Sequence, residues 1–392
     1  MSETKNYVTI GADPEGFLLS PERGIISSEG IVKGSKGNGN PISNFLDLMK
    51  DNKEIDKQNI FVRSLSKRLL KTDFSEQLRK ANQTIQKYET AIDNNAPIRF
   101  STEDHASDVR WYYFLYHNYH LFSKEPMISA LEDNVMVELN VPYLRLDRYN
   151  HHSDYKILFL IMLNAAKQKL QKKINYHIDF STPEFRLSNN ELNTKQAKTI
   201  GCAQDYDAYS EEPSAPRIAP KITEFDNYRF TGGHIHIGFD KPVKVPPFAI
   251  ARLMDLIYCQ YMLIDKQFLR RNYYGKPGLY RPVHNGIEYR TPSSFWLTRG
   301  YKSAFLDDIM AMANSIMDSP ESVNKIYQET DWGKMKELFD SLNKFENTYD
   351  NLNKIYKSLI APLINVRNVL QRQNADHGVY DDFVFRNNLI RP

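Results

Sequence analysis

The stretch GGHIHIGFD, residues 232–240, places two histidines two positions apart and encloses them between glycines. In an α-helix, positions i and i+2 point in different directions, whereas in a β-strand they share a face. His234 and His236 are therefore predicted to lie on one face of a strand, with Ile235 and Ile237 turned toward a core. The pattern by itself leaves two interpretations open, an ordinary half-exposed strand or a pair of metal ligands.

The composition is that of a folded, water-soluble protein. The chain has 392 residues, of which 41% are hydrophobic and 25% charged, so a disordered or collagen-like chain is excluded. This length allows one elaborated domain or two. The formal net charge of +3 is too small to indicate a nucleic-acid partner.

The two cysteines, Cys202 and Cys259, occur in no metal-binding or redox spacing, so a reducing compartment is expected. The first residues, MSETKNYVTI, lack the features of a secretory signal, and no window approaches the roughly 18 apolar residues of a membrane span. We therefore expect a cytoplasmic protein without a membrane partner.

The order of predicted elements alternates strands and helices. NYVTIGADPEGFLLSPERG predicts a strand, a tight acidic bend and a second short strand, and NYHIDFSTPEFRL predicts another strand. PPFAIARLMDLIYCQYMLIDKQFLRR predicts one strong helix, and the chain after Gly300 is predicted to be nearly all helical. GIVKGSKGNGNPIS matches neither a P-loop nor a Rossmann fingerprint and predicts a flexible turn.

From Phe45 to about Glu125 the composition shifts to a basic, helical region that contains the aromatic run WYYFLYHNYHLF. The basic residues indicate a solvated helix face or a surface for an acidic partner. The aromatic run indicates core packing or a platform on which bases stack.

Three further strand candidates carry polar residues on one face. They are Asp13 and Glu15 in ADPE, Glu132, Glu138 and Asn140 in EDNVMVELN opposite Val135, Val137 and Leu139, and Glu288 and Arg290 in GIEYR opposite Tyr289. Any one of these three patterns is also expected on the solvent-exposed face of an ordinary antiparallel sheet. Together with the histidine strand, the four indicate a site.

Carboxylates with a minority of imidazole favour Mg²⁺ or Mn²⁺, because these hard ions demand oxygen ligands. A neighbouring arginine suits phosphoryl chemistry, since a fixed guanidinium can hold a migrating phosphoryl group. Arg290 and Arg281 are the candidates.

The segments GADPEGFLL, LEDNVMVELNVP, GCAQDYDAY, RFTGGHIHIGF and YGKPGLYRPVHNGIEYRTPSSFW occur in an order that resembles a known family. The chain resembles the phage-type carboxylate–amine ligases (COOH·NH2 ligase type 2), a branch of the glutamine synthetase-like superfamily. The resemblance covers much of residues 7–45 and 127–300.

The resemblance implies an α+β fold with a curved antiparallel sheet and flanking helices, whose concave face carries ATP and two or more divalent cations. The γ-phosphate would pass to a substrate carboxylate and an amine would displace it, giving an amide through an acyl phosphate. It also implies three regions: a catalytic core of residues 1–45 and 127–300, a helical insertion of residues 46–126, and a helical C-terminal region of residues 301–392.

The matching positions imply roles for individual residues, and Arg281 joins them from the face analysis. The expected metal ligands are Asp13, Glu15, Glu138, His234 and Glu288; the expected catalytic residues are Arg290 and Glu138; and the expected nucleotide contacts are His236, Arg281, Arg290, Gly232 and Gly233. The two glycines would let a triphosphate lie close to the sheet.

The chain departs from the family at two places. The insertion of residues 46–126 separates the first glycine-rich turn from the E-x-N strand, so its role in substrate choice is open. Ala203 and Gln204 replace a common acid–proline pair, which leaves Asp205 and Asp207 as weaker candidates for contacts in that loop.

Two other functions remain open from the sequence. A hydrolase would bind zinc through His234 and His236, although no H-E-x-x-H is present and the mostly helical segment that follows is too short for a (β/α)₈ barrel. A non-catalytic protein would use the basic helices to hold a partner. For a ligase we expect small-molecule or peptide carboxylates and amines as substrates and, if a phage encodes it, the host cytoplasm as its location. Their identity and the oligomeric state stay open.

Overall fold

The structure is a computed structural model. The residues that it describes are 7–22, 24–34, 38–51, 74–93, 106–122, 128–146, 152–194, 197, 205–217, 227–259, 261–262, 264–265, 267–297 and 301–344.

Fourteen strands occur in this part of the chain. They are β1 (Val8–Ser20), β2 (Gly24–Ile26), β3 (Asn40–Ser43), β4 (Ile128–Asp133), β5 (Met136–Asn140), β6 (Leu144–Leu146), β7 (His177–Asp179), β8 (Glu184–Arg186), β9 (Asp205–Asp207), β10 (Pro216–Arg217), β11 (Tyr228–Phe230), β12 (Gly233–Phe239), β13 (Leu279–Val283) and β14 (Gly286–Tyr289).

Nine α-helices occur among the described residues. They are α1 (Phe45–Asp51), α2 (Phe74–Asp93), α3 (Ala106–His117), α4 (His152–Ile174), α5 (Pro247–Tyr258), α6 (Phe268–Tyr273), α7 (Ala304–Asp318), α8 (Pro320–Glu329) and α9 (Trp332–Lys344).

Twelve strands form one antiparallel sheet, in which the main path runs β10-β9-β13-β14-β12-β1-β5-β4-β3. The long strand β1 is its centre, because it also pairs with β2, β6 and β7. β8 and β11 form a separate two-stranded sheet. The large antiparallel sheet with flanking helices agrees with the expected α+β class.

One face of the sheet is covered by helices. α4 contacts β3 to β7, α5 contacts β13 and β14, and α7 contacts β1. The residues that point to these helices are fully buried, among them Val8, Ile10, Leu144 and, as predicted, Ile235 and Ile237. The alternation along each strand therefore leaves the polar residues on the opposite face.

The predicted acidic bend at Asp13–Glu15 is wrong, since β1 runs as one strand of 13 residues. Pro14 has no backbone N–H, but it lies at the end of the β1–β12 ladder, opposite Gly233. Pairing then resumes when the backbone N–H of Glu15 donates to the Gly232 carbonyl at 2.8 Å.

The segment EDNVMVELN is a hairpin and not one strand. β4 and β5 are joined through Asn134, whose φ of 57° turns the chain. The pairing places Glu132 opposite Val137 and Leu131 opposite Glu138. Glu132 therefore does not share a face with Glu138, and it accepts hydrogen bonds from the backbone of Gly30 and Lys33 instead.

Two further predicted elements are each divided. The predicted strong helix consists of α5 and the short α6, because Asp265 and its neighbours form a buried turn between them. The predicted strand NYHIDFSTPEFRL consists of β7 and β8, which belong to different sheets.

The predicted helical regions contain α1 to α3 and α7 to α9. The C-terminal run NLNKIYKSLIAPLINVRNVLQ lies outside the described residues. No helix in the described ranges is both long enough and apolar enough to cross a bilayer.

Candidate active site

The polar face of β1, β5, β12 and β14, which we call the acidic face, brings together the predicted metal ligands. In the sheet Asp13 lies opposite His234, and His236 lies opposite Glu288. Nδ1 of His234 is 3.6 Å from Asp13 Oδ1 and 3.5 Å from Glu288 Oε1. Asp13, His234 and Glu288 thus form a first group of possible ligands for one cation.

A second group lies on the other side of β1. Glu15 is paired with Glu138, and the hairpin adds Asp133, which shares the face of Glu138 two positions beyond its partner Leu131. One ligand atom of each of these three carboxylates lies within 4.8 Å of the others. Asp133 escaped the sequence analysis because the hairpin was interpreted as one strand.

The donors of the first group suit a divalent cation. Around an ion held at about 2.1 Å, neighbouring ligand atoms lie about 3 Å apart and opposite ones about 4 Å apart. The distances of 3.6 Å and 3.5 Å from His234 Nδ1 to Asp13 and Glu288 fall within this range. Oδ1 of Asp13 is buried, and although Nε2 of His236 lies 3.2 Å away, it makes no hydrogen bond of good geometry among the described residues. Such an oxygen is costly unless a ligand reaches it. Oxygen-rich donors fit Mg²⁺ or Mn²⁺ better than zinc.

Arg290 is the buried cation of the site, with 2% of its surface exposed. Its Nη1 pairs with Glu288, and its Nε lies 2.9 Å from Oδ1 of Asp205. Asp205 therefore reaches the site through Arg290. Arg281 donates to Oε2 of Glu288 at 2.8 Å, so two guanidiniums hold one carboxylate.

Asp207, the other weaker candidate, lies apart from the metal groups and pairs with Lys276 at 3.1 Å. Ala203 and Gln204, the altered pair of that loop, lie outside the described residues.

The hydroxyl of Tyr274 connects the two metal groups. It lies 3.1 Å from Oε1 of Glu15, 3.1 Å from Nε2 of His234 and 3.2 Å from Nη2 of Arg290. The sequence analysis missed this residue, because no local periodicity marks a tyrosine in the loop after α6. Its position depends on how that loop packs against Arg290 and Thr291, which follow β14.

Two buried arginines of α6 hold the surrounding backbone, Arg270 next to Arg290 and Arg271 in the segment between α5 and α6. Arg270 donates to the carbonyls of Thr291 at 2.8 Å and Pro292 at 3.1 Å. Arg271 donates to the carbonyls of Met262 and Asp265. Carbonyl oxygens accept hydrogen bonds from the terminal nitrogens of both guanidiniums, so these cations stabilise the scaffold.

Gly232 and Gly233 lie where the chain has no room for a side chain. A Cβ on Gly232 would overlap the imidazole of His234, and one on Gly233 would overlap the Ser293 carbonyl. Their smallness is thus required by packing inside the protein. That the two glycines let a triphosphate lie close to the sheet remains a prediction.

The carboxylates of the two groups differ in acidity. Burial raises the pKa of Glu15 well above its ordinary value, and Asp133 and Glu138 raise it further. Burial opposes the ionisation of Asp13, but the imidazoles of His236 and His234 outweigh it and hold the pKa of Asp13 below its ordinary value. Burial likewise opposes ionisation of Glu288, yet Arg290 and His234 keep its pKa low.

The two histidines also differ. Burial and the neighbouring Arg290 lower the pKa of His234, which leaves the imidazole neutral and able to bind a cation. Partial burial lowers the pKa of His236, but Asp13, 3.2 Å from its Nε2, raises it by more. The side chain of His236 is 42% exposed, so it faces the solvent side of the site.

The model of one protein family, the phage phiEco32-like COOH·NH2 ligases of type 2, matches residues 222–372. Over these residues the chain is similar to the carboxylate–amine ligases. No curated protein matches the sequence.

The match supports the resemblance to the type 2 ligases. It thereby also supports the interpretation of the protein as an enzyme that joins a carboxylate to an amine. It spans β12 to β14, which carry His234, His236, Arg281 and Glu288, and it includes Arg290 directly after β14. The strands β1 and β5 precede it. The fit of Asp13, Glu15 and Glu138 to a ligase site therefore rests on their geometry, and the roles of all these residues remain predictions.

Proposed function

We propose that the protein is an ATP- and Mg²⁺-dependent ligase that activates a carboxylate as an acyl phosphate and transfers the acyl group to an amine. The observation that carries the proposal is the convergence of two ligand groups and one buried arginine on the acidic face. Two metal groups beside a guanidinium suit the transfer of a highly charged phosphoryl group. The family match supports the same reaction class.

The metal groups would hold divalent cations, which would offset the negative charge that develops on the transferred phosphoryl group. Asp13, His234 and Glu288 would hold one cation. Glu15, Asp133 and Glu138 would hold another, for which Glu15 must lose the proton that its raised pKa favours without a cation.

Arg290 would stabilise the phosphoryl group in transit. A carboxylate oxygen of the substrate attacks the γ-phosphorus, the bond from phosphorus to the β,γ-bridging oxygen breaks, and ADP leaves. The guanidinium is already held in place by Glu288 and Asp205, so little reorganisation accompanies the reaction. His236 and Arg281 would contact the phosphates from the exposed side.

The amine nitrogen then attacks the acyl carbon, and phosphate leaves with the electrons of the acyl–oxygen bond. The nitrogen must lose a proton in this step. Glu138 and Asp133 are partly exposed, whereas Glu15 is fully buried, and Glu138 is the one that pairs directly with Glu15 across the sheet. We assign the acceptance of this proton to Glu138.

The test is ADP release measured across a panel of carboxylates and amines with Mg²⁺ and ATP. Release must require both substrates. Arg290→Lys and Glu288→Gln should each reduce turnover at least about 100-fold. The first change removes the fork of donors aimed at the transferred phosphate, and the second removes the charge of a proposed metal ligand. Arg186→Lys, at an exposed position of β8, is the matched control and should retain wild-type turnover.

Metal analysis of the purified protein separates this proposal from zinc hydrolysis. Stoichiometric zinc, together with hydrolysis that needs no ATP, would overturn it. Lack of binding of Mg²⁺–nucleotide in calorimetry would instead support a non-catalytic protein on the same scaffold.

A further inference from the structure

Four aromatic side chains surround Arg145 at the edge of the sheet, and we call these five residues the Arg145 cluster. The Arg145 guanidinium lies 4.7 Å from the ring centroid of Tyr7, 5.6 Å from that of Tyr119 and 5.7 Å from that of Tyr143. The ring of His120 stacks on Tyr143 at 4.5 Å with an interplanar angle of 22°. The cluster joins the helical insertion, through Tyr119 and His120, to the catalytic sheet.

The cluster exposes aromatic surface that the core would normally cover. Tyr119 is 52% exposed and Tyr143 is 40% exposed, although the neighbouring Leu121 and Phe122 are buried. The aromatic run of the insertion is therefore divided, with one part packed in the core and one part facing solvent. Adjacent exposed rings are a feature of binding surfaces.

The cluster lies on the acidic face. Arg145 is paired with Thr9, and their neighbours Val8, Ile10, Leu144 and Leu146 point into the core on the other side. A Cβ built on Gly11 would lie 3.5 Å from Cβ of His236 and 3.6 Å from Cβ of Tyr143. Gly11 thus lies between His236 and the cluster, and no side chain at this position separates them.

The Arg145 cluster and the metal groups are separated by a distance that one nucleotide can span. Thr9 precedes Asp13 by four residues on β1, which corresponds to about 13 Å along a strand. Triphosphate and ribose together can bridge such a distance. The path passes His236 and Gly11 and ends at Tyr143 and Arg145.

The guanidinium of Arg145 makes only long hydrogen bonds within the protein. Its Nη1 and Nη2 donate over 3.4 Å to the His117 carbonyl and the Tyr143 hydroxyl, and among the described residues its buried Nε has no acceptor and no carboxylate pairs with it. A guanidinium stacked on rings keeps its edge available for ring nitrogens or ribose hydroxyls.

We propose that the Arg145 cluster binds the base and ribose of the nucleotide whose phosphates lie at the metal groups. This rests on the proposed function, and it assigns a role to part of the insertion of residues 46–126. Exposed rings favour a planar ligand, because every base presents a π-face to stack on. A simple anion would use the guanidinium but gain nothing from the tyrosines.

Calorimetry can isolate the contribution of the base. The titrants are the Mg²⁺ complexes of a non-hydrolysable ATP analogue and of tripolyphosphate, which has no base or ribose. Tyr119→Ala and Tyr143→Leu should weaken the binding of the analogue roughly tenfold and leave tripolyphosphate binding unchanged. Phe185→Ala, which truncates another exposed aromatic residue at 38% exposure, is the matched control and should change neither affinity.

Equal weakening of both titrants by the two variants would overturn the proposal and indicate a site for anions. Unchanged binding of the analogue by both folded variants would overturn it as well, while leaving the ligase proposal intact. If the wild-type protein binds neither Mg²⁺ complex, the ligase proposal fails together with the base site. A thermal melt of each variant confirms that it is folded before titration.

Discussion

The carboxylates on the acidic face have neighbours of opposite charge type, and these neighbours decide whether each carboxylate is ionised or protonated. Asp13 faces two imidazoles, whereas Glu15 faces the carboxylates of Asp133 and Glu138. The first surroundings favour an ionised carboxylate and the second a protonated one. The group around Asp13 therefore favours the ionised carboxylates that bind a cation, more than the group around Glu15 does.

Tyr274→Phe is expected to impair catalysis with only a moderate loss of stability. The change removes the hydroxyl that lies between Glu15, His234 and Arg290, so three buried polar groups lose a partner. Such a loss costs about 1–3 kcal/mol, and turnover should fall at least about tenfold because the guanidinium and imidazole lose a common anchor.

The measurements are denaturant unfolding and ADP release. Tyr280→Phe is the matched control, since its hydroxyl donates to the Pro213 carbonyl at 2.8 Å, away from the acidic groups. Tyr274 would have no positioning role if both variants kept wild-type turnover.

Gly275→Ala should destabilise the protein by about 2 kcal/mol or more. A Cβ at this position would overlap the Arg270 guanidinium and lie 2.9 Å from the Thr291 carbonyl. Arg270 is fully buried and cannot swing aside, so overpacking results. The melting temperature and the unfolding midpoint in urea report the effect.

Gly333→Ala is the comparison for the previous variant. It lies in helix α9, where a Cβ would meet only Asp331 Oδ1 at 3.4 Å, so alanine should be neutral or stabilise by about 0.5–1 kcal/mol. Equal losses for both glycines would contradict the packing explanation.

At the scale of elements, α5 supports β14, the strand that carries Glu288 and ends directly before Arg290. Asp255 of α5 is fully buried and accepts a hydrogen bond from the Tyr289 hydroxyl at 2.6 Å. Tyr289 points away from the acidic face, between the two site residues. The helix thus holds β14 from behind through a buried acid.

Burial raises the pKa of Asp255 to about 8, although the hydrogen bond from Tyr289 acts in the opposite direction. The ordinary value is 3.8, so the folded protein keeps a proton that the unfolded chain releases. The stabilising contribution is complete below pH 3.8 and decreases as the pH rises toward about 8.

Asp255→Asn should therefore flatten the pH dependence of unfolding. Between pH 5 and pH 7 the wild type is expected to lose up to about 1.4 kcal/mol per pH unit through this residue, and the asparagine variant should lack this loss. Urea unfolding at several pH values gives the slope. Glu211→Gln, at an exposed position, is the control, and an unchanged slope in Asp255→Asn would refute the assignment.

At the scale of the whole molecule, three distant parts of the chain supply the cation groups. Asp13 and Glu15 come from β1, Asp133 and Glu138 from the β4–β5 hairpin, and His234 and Glu288 from β12 and β14. Carboxylates this close repel one another unless protons or cations intervene. Folding and cation binding are therefore expected to be coupled.

Added Mg²⁺ should raise the melting temperature of the wild-type protein. A concentration 100-fold above the dissociation constant corresponds to about 2.7 kcal/mol of added stability. Asp13→Asn removes a charged ligand from the first group and should reduce the shift, whereas the exposed-site variant Glu211→Gln should keep it. A melting temperature that does not respond to Mg²⁺ would argue against any cation site here.

The sequence by itself determined which residues share a strand face. The i,i+2 spacing in GGHIHIGFD and GIEYR predicts that His234 shares a face with His236, and Glu288 with Arg290, because side chains alternate along an extended chain. The buried Ile235 and Ile237 confirm which side is the core. Helical periodicity likewise located the helical regions.

Only the tertiary structure decided which strands are neighbours and which loop residues join them. Asp133 enters through a hairpin turn, Tyr274 through the loop after α6, and Tyr119 through the insertion, and none of these carries a periodic signal. Strand order and hairpin register depend on contacts between residues far apart in the chain. Local spacing therefore indicates the face of a side chain, while packing between strands decides which side chains meet.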